Sequence, residues 1–165
     1  MRPIIILLIA GLALFSISCN DDSKEIQLPY ELYVVLAKAG SDKESVFIGA
    51  GILSFNLITK EIIFTDAATE KLIYSFDAVK FYLNKAPLFE STVVSNISSV
   101  LINDLVLFYS IVESKYYLND GYPEISDVWS NAAEIRKNRE KNAKKREKNW
   151  NKFINYLSET GKIVK

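Results

Sequence analysis

The sequence predicts an α+β domain: an antiparallel β-sheet or a small β-barrel, one short internal helix, and a long basic C-terminal helix. Three observations predict it. Short runs rich in Val, Ile, Leu, Phe and Tyr recur between residues 30 and 118, divided by turn residues. Asn119-Asp120-Gly121-Tyr122-Pro123 then breaks the chain. Beyond it, apolar residues return at a helical spacing, with a dense basic run between them.

The elements follow in order. Leu28-Pro29 opens a strand-like run, Tyr30 to Lys38, and Ala39 to Lys43 reads as a turn. Val46 to Leu57 is a second run, with Gly49 and Gly51 marking a bulge or a close backbone approach. Thr59-Lys60 turns the chain into Glu61 to Thr65, making a hairpin. Asp66 suits a helix cap, and Leu72, Ile73 and Phe76 follow at helical spacing, so a short helix is expected there. Ala78 to Leu83 and Pro87 to Val94 flank a turn at Asn84-Lys85. Ser95 to Ser99 is loop, and Asp104 to Val112 pairs with Lys115 to Leu118 around Glu113-Ser114. Such hairpin spacing fits either an open sheet with a helix on one face or a closed barrel.

The C-terminal helix is expected to be capped by Ser126 or Asp127 and ended by Gly161. One stripe carries Ala132, Ile135, Arg139, Ala143, Arg146, Trp150, Phe153 and Leu157. It is apolar at both ends and basic in the middle. The ends dock on a core, while the middle projects into solvent or lies over an acidic surface. Glu140 and Lys144 are spaced for a favourable pair of only ~0.3 kcal/mol, so the docked ends must hold the helix.

Charge is distributed unevenly although the formal net is zero. Residues 20–124 hold 8 basic and 15 acidic side chains, whereas residues 125–165 hold 11 basic and 5 acidic ones. Arg136, Lys137, Arg139, Lys141, Lys144, Lys145, Arg146 and Lys148 form the basic run, with Glu140 and Glu147 as its acids. A solvated helical face is one reading of this run. The other is contact with lipid phosphates, lipopolysaccharide or an acidic protein partner. Nucleic acid is not expected, because the run lacks interleaved aromatics. Tyr109, Tyr116, Tyr117, Tyr122 and Trp129 lie close in sequence and read chiefly as core or as the seam to the helix. Tyr122 and Trp129 join the basic residues as candidate partner contacts.

Chemistry is constrained by what is missing. There is no histidine, which excludes Ser-His-Asp triads and histidine metal sites. Cys19 is the only cysteine. Gly49-Ala50-Gly51 sits inside a strand-like run rather than between strand and helix, so a dinucleotide loop is disfavoured. Paired carboxylates such as Asp66, Asp77, Glu90 and Asp104 leave a glycosidase formally open, but no spacing singles out a pair. Asn119-Asp120-Gly121 is too short for a calcium loop. No catalytic residue, metal or cofactor is expected.

The N-terminus has a charged start, Met1-Arg2-Pro3, then a 12-residue apolar stretch from Ile4 to Phe15, then Ser16-Ile17-Ser18-Cys19. Twelve residues reach only ~18 Å as a helix, short of a ~30 Å hydrocarbon layer. The pattern is that of a secretory signal rather than a membrane span. It resembles the signal of bacterial lipoproteins: Ser18 fits the lipobox, while Ser16 replaces the usual leucine. The resemblance covers only residues 1–19. It implies cleavage before Cys19, lipid on the Cys19 sulfur, palmitate among its acyl chains, and stable membrane anchoring. Asp21-Asp22 resembles a surface-export tag of some Gram-negative lipoproteins, which places the domain on the outer surface of the outer membrane. A plain spacer there leaves the periplasmic face as the alternative.

The expected organisation is therefore a signal peptide at 1–18, an acidic tether at 19–28, a β-rich domain at 29–124, and a C-terminal helix at 125–165 packed on that domain. The expected function is a lipid-anchored, non-enzymatic binding or accessory module of the cell envelope. A carboxylate-dependent surface hydrolase and a barrel carrying a small apolar ligand are the alternatives.

Overall fold

A computed structural model describes residues 32–37, 51–65 and 73–165. The signal segment, Cys19, the tether, the turn at Gly40 and the expected short helix up to Leu72 lie outside the described residues, and at its end Phe76 N–H donates to Ile73 O at 3.0 Å. Seven strands precede the long helix: β1 (Leu32–Ala37), β2 (Ile52–Asn56), β3 (Glu61–Phe64), β4 (Ala78–Leu83), β5 (Ala86–Ser95), β6 (Val106–Ser110) and β7 (Lys115–Asn119). Helix α1 (Ala132–Glu159) and a two-residue strand β8 (Ile163–Val164) complete the chain.

The strands form one sheet in the order β1-β4-β5-β6-β7-β3-β2-β8. Each expected hairpin is present, and each turn has a physical basis. Asn84 and Lys85 both adopt positive φ, 50° and 67°, the pattern of a two-residue turn whose twist matches the strands. The β2–β3 turn is held by Asn56, whose Oδ1 accepts from the N–H groups of Ile58 and Thr59 at 2.8 Å. Ser114 takes φ 55° in the β6–β7 turn.

Two expectations need correction. The sheet is mixed rather than antiparallel, because β5 pairs with β6 in parallel and β2 pairs with β8 in parallel. Residues 96–105 run back from the end of β5 to the start of β6, tied halfway by backbone bonds between Ile102 and Tyr122. Nor does the sheet close into a barrel. Its edges are β1 and β8, and among the described residues β1 also meets Gly51, just ahead of β2, through a bridge from Tyr33. The curl thus brings β1 to the residue that leads into β2.

The concave side is filled by rings. Phe153 of α1 is fully buried, with its centroid 5.6 Å from Phe55, 5.8 Å from Phe81 and 5.3 Å from Phe89. Those partners belong to β2, β4 and β5, so one side chain joins widely separated strands of the sheet. Trp150 adds edge and tilted contacts to Phe55 and Phe89. Edge-to-face rings at this spacing contribute beyond their apolar burial. The interior expected of a ligand-carrying barrel is thus occupied by side chains.

Helix α1 starts later than Ser126 or Asp127. Residues 126–131 instead make successive turns, with Trp129 N–H donating to Ser126 O and Ala132 N–H to Trp129 O. Asn131 holds the cap position without a side-chain cap bond. Asp127 is drawn off by an ion pair with Arg136. The other end follows expectation. Gly161 has φ 68°, its N–H donates to Ser158 O, and Lys162 N–H reaches back to Leu157 O at 2.7 Å. This Schellman closure leads straight into β8, where Phe55 N–H donates to Lys162 O at 2.8 Å.

Phe153→Ala removes the ring shared by three strands and should cost about 3–5 kcal/mol in urea unfolding. Gly161→Ala places a Cβ in the left-handed region and should cost about 1–2 kcal/mol. A Gly161→Ala variant as stable as wild type would contradict the closure described for the helix end.

Candidate functional site

Helix α1 has two faces with different tasks. Ile135, Arg139, Asn142, Arg146, Asn149, Phe153 and Leu157 follow one another at steps of three or four and point at the sheet and its loops. Asn142 Nδ2 donates to Asn103 O at 2.8 Å, and Asn149 Nδ2 donates to Leu88 O at 2.7 Å. Arg146 bridges two carboxylates, Asp104 at 2.6 Å and Asp120, from a side chain that is only 10% exposed. These four contacts tie the middle of the helix to β5 and to the loops at Asn103, Asp104 and Asp120.

Arg139 shows why Gly121 is needed. Gly121 has φ +136°, and a Cβ there would lie 2.3 Å from Arg139 Nε. The guanidinium therefore lies directly over the bare backbone, and its Nη2 donates to Pro123 O at 2.8 Å. Burial lowers the Arg139 pKa below the ordinary guanidinium value, while the charge of Asp120 opposes that shift. A cleft of about 490 Å³ opens beside it, lined by Phe108, Asp120, Tyr122 and Glu124 among others.

Tyr122 also serves the structure. The Tyr122 hydroxyl donates to Ser98 O at 3.1 Å, and its ring stacks on Phe108 at 5.6 Å. Trp129 lines a groove with Val100, Leu101 and Ile135. Tyr116 is buried, and Tyr109 stacks between Tyr116 and Tyr74.

The opposite face of α1 is lysine. Lys137, Lys141, Lys144 and Lys148 are all exposed and succeed one another at steps of four, three and four. Lys145 and Lys152 flank them, also exposed. The sixteen residues from Lys137 to Lys152 span ~22 Å of helix, so the row is as long as the face of a small domain. Among the described residues, Lys137, Lys141, Lys144, Lys148 and Lys152 have no carboxylate within ion-pair distance, and Lys145 donates only to Asn142 at 3.3 Å. The expected Glu140–Lys144 pair is not formed. An exposed pair of that kind returns little for the side-chain freedom it removes.

The structure thus sorts the ten candidate contacts. Arg139, Arg146 and Tyr122 are engaged within the domain, Arg136 is paired with Asp127, and Trp129 lines an open groove beside Ile135. Lys137, Lys141, Lys144, Lys145 and Lys148 remain on the free face, joined by Lys152, which the basic run did not include. The division follows side-chain chemistry. A planar, weakly hydrated guanidinium suits a half-buried fork, and a strongly hydrated ammonium suits water or an anion.

Of the carboxylates considered for hydrolysis, Asp104 is bound to Arg146, and Asp66 lies outside the described residues. Among the described residues no group of three or more Asp, Glu, Cys or His side chains is placed to hold a metal ion. A scan against protein-family models finds no match, and searches of curated proteins and of solved structures return none.

Because Arg146 holds two carboxylates and Lys144 holds none, their loss should differ. Arg146→Ala should lower the unfolding free energy by about 1–2 kcal/mol, discounted for the exposure of both aspartates. Lys144→Ala should leave the midpoint unchanged. Equal losses in urea titration would contradict the two-faced reading of the helix.

Proposed function

We propose that this protein is a lipid-anchored, non-enzymatic binding module of the cell envelope, and that the lysine row of α1 sets it against a phosphate-bearing membrane surface. The anchor in this reading is the acylated Cys19, with the domain on the outer or the periplasmic face of the outer membrane. The observation that carries the proposal is the free lysine row itself, opposite the docked face of the same helix. A row of hydrated ammonium groups recognises phosphate as point charges without needing a shaped pocket. Each lysine near an anionic bilayer contributes about 1 kcal/mol, and the attraction fades within a Debye length of ~8 Å. A single such helix is therefore a weak ligand alone and an effective one when an anchor keeps it near the surface.

The unlipidated domain, made without the signal segment and with Cys19→Ala, should co-sediment with phosphatidylcholine vesicles containing phosphatidylglycerol and not with phosphatidylcholine alone, and added salt should release it. Replacing Lys137, Lys141, Lys144 and Lys148 with glutamine should abolish that binding while leaving the fold intact. Binding that survives the four substitutions would rule out the lysine row. The anchor is tested separately: Cys19→Ala should end palmitate labelling and membrane partitioning, and a variant still labelled would remove the lipoprotein reading.

A further inference from the structure

The cleft of about 490 Å³ beside Arg139 contains none of the row's lysines, and its volume is that of a small-molecule site. Part of its lining is aromatic. Phe108 of β6 and Tyr122 stack there with centroids 5.6 Å apart, and Tyr117 of β7 continues the series 6.3 Å from Phe108. All three rings are half-buried and stand outside the hydrophobic core, so each keeps ring surface for an occupant. Two are tied in place by their hydroxyls, Tyr122 to Ser98 O and Tyr117 to Glu113 Oε2 at 2.9 Å. A surface held in place beforehand loses little freedom on binding. The rest of the lining is polar. Asn96 spends its Oδ1 on Ile111 N–H at 2.8 Å, which leaves its amide N–H groups to donate. Asn119 and Glu124 make no side-chain hydrogen bond among the described residues. Arg139 Nε is buried without a partner. Buried donors are rarely left unmet, and those that are mark places completed by a water or a bound group.

We infer that this cleft binds a neutral carbohydrate. A sugar ring offers a patch of C–H groups that packs on an aromatic ring, and hydroxyls that both donate and accept. Phe108 and Tyr122 match the first, and the planar side chains of Asn96, Asn119 and Glu124 match the second. The charges of the lining argue against an ionic ligand. Arg139 is balanced by Glu124, and Asp120 is already paired with Arg146, so an occupant of either sign meets its like. An extended peptide finds no free edge here, because β6 and β7 each have a neighbouring strand on both sides. The cleft has room for a mono- or disaccharide unit, and its binding owes nothing to the lysine row.

The test uses the full chain as cells process it, purified in a polyoxyethylene detergent that carries no sugar. It is applied to an array of neutral oligosaccharides of glucose, galactose, mannose and N-acetylglucosamine beside sialylated and sulfated ones. Neutral glycans should retain the protein, and high salt should not release it. Calorimetric titration with the best-retained glycan then locates the site. Asn119→Ala and Glu124→Gln should each weaken binding about fivefold. Both should keep the wild-type unfolding midpoint, since neither side chain holds another part of the fold. Phe108→Leu, which keeps apolar bulk and removes the ring, should weaken binding about tenfold. An array that retains nothing, retention by charged glycans alone, or any one of the three variants binding as the wild type does would overturn the proposal. The glutamine variant of the lysine row should bind the glycan unchanged and fail only on vesicles, so this reading and the membrane reading stand or fall separately.

Discussion

The ring of Phe153 is the contact on which the rest of the structure depends. It reaches strands β2, β4 and β5 at once, although β2 and β4 stand far apart in the order of the sheet. A curled, unclosed sheet needs such a bridge, since among the described residues the Tyr33–Gly51 bridge alone links its two sides by backbone. The helix closure at Gly161 then feeds β8 onto the outer edge of β2, so the same segment plugs the concave face and pairs an edge. Burying a large ring contributes a few kcal/mol, comparable to a good share of a small domain's net stability.

Ala132 and Ile135 are buried at the other end of α1, and the turns between the two ends are oriented by polar contacts. Asn149, Arg146, Asn142 and Arg139 are each worth less than the Phe153 ring, but they fix rotation about the helix axis. Rotation decides which residues face outward. Because the inward positions take arginine and asparagine, lysines are left at the positions half a turn away. The lysine row is thus a geometric consequence of how the helix docks, and it is not merely a local excess of charge.

Much of the fold is legible in the sequence because local rules govern it. Positive-φ turns at Asn84-Lys85 and Ser114 lie where polar residues interrupt β-rich runs, and Gly161 ends the helix as its position implies. The parallel β5–β6 pairing is not legible, because the ten-residue return from Ser95 to Val106 contains no helix to signal a crossover. β8 is too short to register as a pattern. The helix start misleads, since Asp127 satisfies every rule for a cap and is instead taken by Arg136. Within the site, the basic run is plain, but its sorting is not. Asn142 and Asn149 read as surface residues, and only their carbonyl partners, Asn103 and Leu88, reveal that they face inward. Arg139 needs the bare backbone of Gly121, a relation between positions that spacing cannot supply.

The most direct test of the two-faced helix in its own setting is lysine footprinting with an amine-acylating reagent. Labelling would be compared between intact outer membranes and the protein extracted into neutral detergent. The account predicts that Lys137, Lys141, Lys144, Lys148 and Lys152 are protected in the membrane and react in detergent, while Lys60 at the β2–β3 turn reacts equally in both. Uniform reactivity of all six lysines in the two settings would contradict it.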